Sequence, residues 1–354
     1  MVKISIPQHR NQHRSFHLMA STCFIAQVEI STGSRQKSSK NSGRRNGNTN
    51  NRFSGKMKIK KDGVMKRKVK MKKLAIVSSV CALMAASIFS QLADFPKLTG
   101  PYLGQKPPGM TPEIFAPGIV STRADESALE ISAAGNEILF IRKNSIMLIT
   151  RNGDGTWNKP VTAPFSGEFI DDEPCYSPDG NKIYFMSRRP SAGSKIVSNL
   201  WVSERNNNTW TEPVPVSGIA YNKLLHAPTI AANGNIYDTG IIRFKYSAGK
   251  YLAVERLPSL TGVGPFIFPD ESYIIFSKRS QETNSMDLFI SFQQKDGVWS
   301  NAFSLGKEIN TQALEGNSFV TADGKYLFFS RKFDIFWVSA KIIEDLRPQG
   351  LGAK

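Results

Sequence analysis

Cysteine is scarce in this chain of 354 residues, which holds only Cys23, Cys81 and Cys175. If the chain is cleaved near residue 93, Cys175 alone remains and no intramolecular disulfide can form. The folded part must then draw its stability from an apolar core, and about 260 residues are ample to build one. Histidine is also scarce, because His226 is the single one after residue 93. One histidine and one cysteine argue against a zinc site.

Acidic residues are nearly absent from the first 73 positions, which carry 19 Lys and Arg against Glu29 and Asp62. The whole formal net charge of +17 therefore lies there, and the remaining 281 residues hold 27 basic and 27 acidic side chains. Proteins that bind nucleic acid through its phosphates need clustered positive charge. The folded part has no excess of it, which excludes this kind of nucleic-acid binding. Residues 31–56 offer little to bury, which predicts disorder. They are either an arm for an acidic surface or no part of the mature protein.

No apolar run reaches the roughly 20 residues that span a bilayer. The nearest, 74–89, follows Met71-Lys72-Lys73 and precedes several small residues. This arrangement is typical of a secretory signal peptide, with cleavage within 87–93. We predict a basic extension over 1–70, a signal peptide over 71–93, and export to the periplasm or the extracellular space without a stable membrane span. The biological start stays open among Met1, Met57, Met65 and Met71.

A sustained helical period is absent after residue 94, where short Val, Ile, Phe, Tyr and Trp runs are broken by Gly, Asn and Asp. That pattern predicts an all-β fold. One unit recurs five times, a tight turn leading into a strand: SAAGNEILF (132–140), SPDGNKIYF (177–185), AANGNIYDT (231–239), FPDESYIIF (268–276) and TADGKYLFF (321–329). A strand precedes each turn, and third strands are expected at 145–150, 199–203, 251–255, 287–291 and 334–339. Four-stranded antiparallel units spaced about 40–50 residues apart predict the blades of a β-propeller.

The fifth unit lacks a fourth strand of its own, but the other end of the chain supplies one. Residues 112–131 align with 301–320, so 112–119 is predicted to complete the last blade and close a five-bladed ring. This divides the body into a lead-in segment (94–111), the propeller (112–345) and a tail (346–354). The third unit lacks the Trp of the others, so we expect an irregular outer strand there.

The S-P-D-G-x-x-I-Y-F line, the P-D-E-S-Y-I-I-F variant and the D-L-F-I-S strand resemble the WD-like repeats of TolB-type propellers, which are built on a Pro-Asp turn. Residues 101–122 also resemble the segment that leads into such propellers, so the resemblance covers roughly 101–345. It implies a propeller of the kind found in exported bacterial proteins, and it carries almost no information on chemistry.

Candidate functional residues cluster where the first strand of each blade enters the central channel. They are Asp125, Glu126, Asp171, Asp172, Glu173, His226, Gly264 and Glu315. One hypothesis makes Glu126, Glu173 and Glu315 acids or bases in glycoside hydrolysis, since neighbouring carboxylates shift each other's pKa. The hypothesis we favour is structural: the carboxylates cap turns and pair with Arg142, Arg188, Arg279 and Arg331. Residues that recur in several blades usually maintain the blade.

Metal binding is a weaker hypothesis. Asp125, Asp171 and Asp172 could hold Ca²⁺ through oxygen ligands, but no loop has a dense calcium pattern, so we predict neither metal nor cofactor. Cys175 lies on an inner strand and is expected to be a small core residue. The predicted function is a monomeric, non-enzymatic scaffold that binds an envelope protein or a glycan through the carboxylates, His226 and the arginines. The alternative is a carbohydrate-active enzyme.

Overall fold

The structure, a computed structural model, describes residues 95–190, 199–217, 219, 227–257 and 259–349. The predicted extension over 1–70, the predicted signal peptide over 71–93, His226 and residues 350–354 lie outside these ranges. Within them, five antiparallel sheets account for nearly all regular structure. A 3-10 turn at Tyr102–Gly104 and helix α1 at Lys341–Asp345 are the helical elements of the described residues. None of their helices is long and apolar enough to cross a membrane.

Each sheet is one blade. In blades 1 to 4 the strands follow the chain from the channel outward, and in blade 5 the outermost strand is the N-terminal β1. Blade 1 is β2 (Glu126–Ile131), β3 (Glu137–Arg142), β4 (Ser145–Thr150) and β5 (Val161–Thr162). Blade 2 is β6 (Asp171–Tyr176), β7 (Lys182–Ser187), β8 (Asn199–Asn206) and β10 (Val214–Pro215), with β9 (Thr209–Trp210) paired to β8. Blade 3 is β11 (Thr229–Ile230), β12 (Ile236–Asp238), β13 (Ile242–Ser247) and β14 (Lys250–Arg256). Blade 4 is β15 (Val263–Ile267), β16 (Tyr273–Arg279), β17 (Met286–Phe292) and β18 (Phe303–Ser304). Blade 5 is β19 (Glu315–Val320), β20 (Tyr326–Arg331), β21 (Asp334–Ser339) and β1 (Glu113–Ile114).

The blades form a closed ring, because the first strands contact one another in the cyclic order β2, β6, β11, β15, β19 and back to β2. The predicted five-bladed propeller is confirmed. We call the face where the first strands begin the upper face and the face where they end the lower face. The five repeated turns that identified the fold therefore lie on the lower face.

The ring is closed by the N-terminal strand, as predicted. Strand β1 pairs antiparallel with β21 through Glu113↔Trp337 and Ile114↔Phe336. Beyond β1, the backbone N–H of Phe115 donates to the carbonyl oxygen of Ile335 at 2.8 Å. Blade 5 thus has its fourth strand, and no edge of β21 is left open at this position.

Blade 3 departs from the prediction. The segment 251–255, expected as the third strand, lies in the fourth strand β14, and the third strand is β13. The two are joined by the tight turn at Ala248 and Gly249, which both have positive φ. The expected irregularity is confined to a register shift between Lys245 and Tyr246, and β14 is a seven-residue strand, whereas the outermost strands of the other blades have two residues.

Neighbouring blades cover both faces of one another's strands, which explains the nearly continuous apolar runs. Strand β3, for example, is buried at five of its six positions. Sheets covered on both faces do not need the alternation of apolar and polar residues. The Trp residues of the repeats lie in these interfaces and are buried: Trp157, Trp210 and Trp299.

The lead-in segment fastens blade 1 to blade 5 on the lower face. The Nε1–H of Trp157 donates to the carbonyl oxygen of Gly100 at 2.7 Å. The ring of Tyr102 packs edge-on against Tyr326, with ring centroids 5.0 Å apart. The 3-10 turn at Tyr102–Gly104 needs its glycine, because Gly104 has φ +78° and a Cβ there would lie 2.7 Å from the carbonyl oxygen of Thr99.

Candidate functional site at the channel mouth

Two predicted catalytic carboxylates form the same buried structure in blades 1 and 5. Glu126 accepts from Nε of Arg142 at 2.8 Å, and Glu315 accepts from Nε of Arg331 at 3.0 Å. Both carboxylates are 0 % exposed. The same Arg side chains also donate to the backbone carbonyls of the preceding upper loop: Ile119 and Val120 in blade 1, Glu308 and Ile309 in blade 5. We call these arrangements acid–arginine clamps, because each ties a loop to the start of a first strand.

A threonine four residues before each carboxylate completes the clamp. The Thr122 hydroxyl donates to Glu126 and the Thr311 hydroxyl to Glu315, each at 2.6 Å. The aligned segments 112–131 and 301–320 therefore share this structure in detail. These carboxylates are fully committed to arginine, hydroxyl and backbone partners, and a substrate in the channel has no access to them.

Blade 2 has a third clamp with a different arginine from the predicted one. Asp171, also 0 % exposed, pairs with Nη2 of Arg189 at 3.2 Å and accepts from the Ser166 hydroxyl at 2.7 Å. Arg188, the expected partner, is exposed. Its neighbour Arg189 also donates to the carbonyl oxygen of Phe165 at 2.8 Å.

The remaining predicted residues are spread over the upper face. Asp125 and Arg279 are exposed, and Arg279 donates to the side-chain oxygen of Asn284 at 2.9 Å. Asp172 is half-buried. Among the described residues, no group of three or more His, Cys, Asp or Glu is arranged to hold a metal ion.

A backbone feature of the first strands decides which side chains reach the channel. In blades 1, 2, 4 and 5 the register shifts inside the first strand, as in a β-bulge. The residue at that position has positive φ: Ala128, Glu173, Gly264 and Asn317. All four line the cavity at the channel mouth. The bulge therefore determines which four residues a ligand entering from the upper face would contact.

Glu173 and Asn317 meet across the mouth of the channel. The Nδ2 of Asn317 lies 2.7 and 2.8 Å from the two carboxylate oxygens of Glu173. Burial, and then the neighbouring Asp172 carboxylate, raise the pKa of Glu173 well above its usual value, against the hydrogen bond from Asn317. The cavity there is about 30 Å³, which is room for about two water molecules and far too small for a sugar ring.

Glu130 is a channel residue that the sequence reasoning missed. It lines both the mouth cavity and a larger cavity below it. Burial raises the pKa of the Glu130 carboxyl well above its usual value, opposed by a hydrogen bond from the backbone of Tyr176. The positions aligned with Glu130 in the other blades are Cys175, Thr229, Phe266 and Phe319, and none of them has a carboxylate. The repeat therefore did not indicate a channel carboxylate at this position.

Glu130 should make the protein less stable as the pH rises. Its folded-state pKa lies above that of the unfolded chain, near 4.3, so its contribution is fully present below that value and is lost as the pH rises through the folded pKa. Relative to the Glu130→Gln variant, the wild type should lose up to about 1.4 kcal/mol of unfolding free energy per pH unit in this window. Urea unfolding between pH 4 and 8 measures it.

Asp179 provides a control of opposite sign. Hydrogen bonds from the Ser177 hydroxyl and the Asn181 backbone lower its pKa. The stability that Asp179 contributes is present above the pKa of the unfolded chain and is lost as the pH falls. Asp179→Asn should therefore change the curve of stability against pH only at its acid end.

Parallel curves of stability against pH for the wild type and Glu130→Gln would contradict the assignment of Glu130.

The upper face around the channel mouth combines exposed apolar and basic side chains. Ile170, Leu314 and Phe333 are 38 %, 56 % and 54 % exposed. In the described upper loops and the strand ends beside them, the exposed basic residues are Arg123, Lys143, Arg188, Arg256, Lys278, Arg279, Lys307 and Lys332. The exposed acidic residues there are Asp125, Glu168, Glu282 and Glu308. Residues 74–354 have no net formal charge. Because this face has more basic than acidic residues, the rest of that part of the chain has more acidic than basic ones.

No protein-family model matches the sequence, and no curated protein is similar to it in sequence. Solved structures similar to the chain include a provisional TolB from Agrobacterium tumefaciens, at 17% identity and a TM-score of 0.41, covering 59% of this chain and 70% of that one. A provisional 6-phosphogluconolactonase from Bacteroides uniformis is 17% identical with a TM-score of 0.32, covering 55% and 60% of the two chains. A gluconolactonase from Xanthomonas campestris is 9% identical with a TM-score of 0.39, covering 69% and 97%. The five-bladed ring rests on its own sheet topology, and similarities of this size assign no activity to it.

Proposed function

We propose that this protein is an exported, non-enzymatic scaffold that binds an acidic partner protein of the cell envelope with its upper face. The observation that carries the proposal is that the upper face exposes the apolar side chains of Ile170, Leu314 and Phe333 together with an excess of exposed Lys and Arg. Apolar side chains at the centre of a polar rim are typical of protein interfaces. The basic rim fits an acidic surface and would speed its association.

The acid–arginine clamps support binding over catalysis. They use the carboxylates of Glu126, Asp171 and Glu315 to hold three upper loops in place, which makes the face a rigid platform. A rigid platform binds at lower entropic cost than mobile loops. Of the three proposed catalytic residues, Glu173 alone reaches the channel, and the carboxylate pair that glycoside hydrolysis requires is not formed by Glu126 and Glu315.

Export is the part of the proposal that rests on the sequence. The pattern at 71–93 favours a signal peptide. Fractionation of the source cells and mass spectrometry of the mature N-terminus test this directly. A terminus within 87–93 on envelope-associated protein is expected, and an uncleaved cytoplasmic chain would refute it.

Cross-linking in native cells tests the binding surface. We expect one stoichiometric partner with an acidic surface, and at least a thirtyfold weaker capture by the Leu314→Ser/Phe333→Ser variant, since central apolar contacts contribute about 2 kcal/mol or more. Arg188→Glu/Arg279→Glu should weaken capture most at low salt.

Val298→Ser is the matched control, because Val298 is 53 % exposed but lies on a turn of the lower face. It should capture the partner as the wild type does. Equal loss in the control, or no loss in the upper-face variants, would refute the upper face as the binding surface. Hydrolysis of a glycan panel that Glu173→Gln abolishes would establish the enzymatic alternative instead.

A further inference from the structure

The lower half of the central channel holds a second cavity that the scaffold function does not use. It measures about 200 Å³ and opens on the lower face, opposite the proposed partner surface. Cavities of about 150 Å³ lined by apolar side chains are known to bind benzene. This one therefore has room for a substituted aromatic ring.

The lining is mostly apolar and aromatic, with the Glu130 carboxyl and the hydroxyl residues Ser177 and Thr229 among it. Phe266 and Phe319, both buried, face each other in a T-shaped arrangement with ring centroids 5.8 Å apart. Cys175 and Thr229 continue the wall. Rings in this arrangement favour a third aromatic ring packed against an edge or a face.

Glu130 lies at the inner end of this cavity, where it joins the mouth cavity. Burial raises the pKa of its carboxyl, which favours the protonated form. A protonated carboxyl has one O–H to donate, and an oxygen atom of a molecule in the channel could accept it. The cavity thus combines a mostly apolar wall with a few polar groups, Glu130 among them, which is the usual composition of a small-molecule site.

We propose that the lower channel binds a small uncharged aromatic molecule whose carbonyl or hydroxyl oxygen accepts a hydrogen bond from Glu130. The ring packs against the sides of Phe266 and Phe319 that line the cavity. The site is independent of the proposed partner surface, so either can fail without the other.

A substitution at the rim of the cavity can block its opening without disturbing the core. Ala133 and Ala322 are exposed and stand at the rim. Ala232 occupies the same position of the repeated turn in blade 3 and is exposed too, but it is outside the lining. Ala322→Trp should cover the opening, and Ala232→Trp is its matched control.

Acetophenone is the probe, with ethylbenzene as the analogue that lacks the carbonyl. Titration of the full-length protein, followed by calorimetry and by saturation-transfer NMR, should give saturable binding of one acetophenone per chain. Ala322→Trp should weaken it at least about tenfold, and Ala232→Trp should leave it unchanged. Absence of saturable binding in the wild type, or equal binding by Ala322→Trp, would overturn the site.

Two variants test the carboxyl. Glu130→Gln keeps a donor and should bind acetophenone within about threefold of the wild type, whereas Glu130→Leu should lose about tenfold for acetophenone and nothing for ethylbenzene. If Glu130→Leu keeps its acetophenone affinity, the hydrogen bond is refuted. Should Glu130→Leu fail to fold, the comparison of Ala322→Trp with Ala232→Trp still decides whether the cavity binds the probe.

Discussion

Replacing Arg331 by methionine should lower the free energy of unfolding by about 3–5 kcal/mol. The substitution leaves Glu315, which is 0 % exposed, without its cation, and an uncompensated buried carboxylate is strongly unfavourable. It also removes the donors to the carbonyl oxygens of Glu308 and Ile309. Urea denaturation of the full-length protein measures the loss.

The control for this prediction is an ion pair in the same blade. Lys325 and Asp323 lie 3.0 Å apart, but their side chains are 67 % and 43 % exposed. Exposed pairs contribute at most about 1 kcal/mol, so Lys325→Met should change stability little. Adding Glu315→Gln to Arg331→Met should recover part of the loss, because no buried charge remains. A loss for Arg331→Met no larger than for Lys325→Met would contradict the clamp.

Replacing Phe115 by alanine should cost about 3–5 kcal/mol, the usual range for a fully buried phenylalanine. Phe115 is 0 % exposed and packs on Phe328 and Trp337, with ring centroids 5.1 and 5.2 Å away. The residue follows the strand that closes the ring, so its loss weakens the contact between the N-terminal strand and blade 5. Thermal unfolding followed by Trp fluorescence measures the effect.

Ile114 is the matched control for Phe115. It is the neighbouring residue and belongs to the same closing strand, but its side chain is 39 % exposed. Ile114→Ala should therefore cost about 1 kcal/mol or less. Equal losses at the two positions would mean that Phe115 is not an anchor of the closure.

The number of blades and the closure were predictable because tight turns have strong residue preferences. Turns such as SPDG (177–180) and TADG (321–324) mark each unit, and the strands behind them, KIYFMS and YLFFSR, are mostly apolar and buried. The third strand of blade 3 was not predicted because its sequence is less apolar than that of the other strands. Residues 242–247, IRFKYS, carry Arg243 and Lys245, whose partner Glu255 lies on β14, so the strand does not look apolar in sequence.

The channel side chains were less predictable because they depend on the bulge. One extra residue in the first strand changes which positions face inward, and a change of one residue moves a side chain to the other face. Glu130 comes to the channel in this way, three residues after Ser127, where the regular register ends. In blade 2 the choice between Arg188 and Arg189 depends equally on local geometry. Sequence spacing alone does not contain that information.

The pairing of the two ends of the propeller also has a consequence for the order of folding. The Ser121 hydroxyl and the backbone of Ile335 exchange hydrogen bonds across 214 positions of sequence. Blades 1 to 4 pair only strands that are close in sequence and can form while the chain is still growing, whereas blade 5 must wait for its last strand to be made. Closing so long a loop is entropically slow. Until it closes, the edge of β21 beside Trp337 has no strand paired to it, and an unpaired strand edge makes a partly folded chain prone to aggregate.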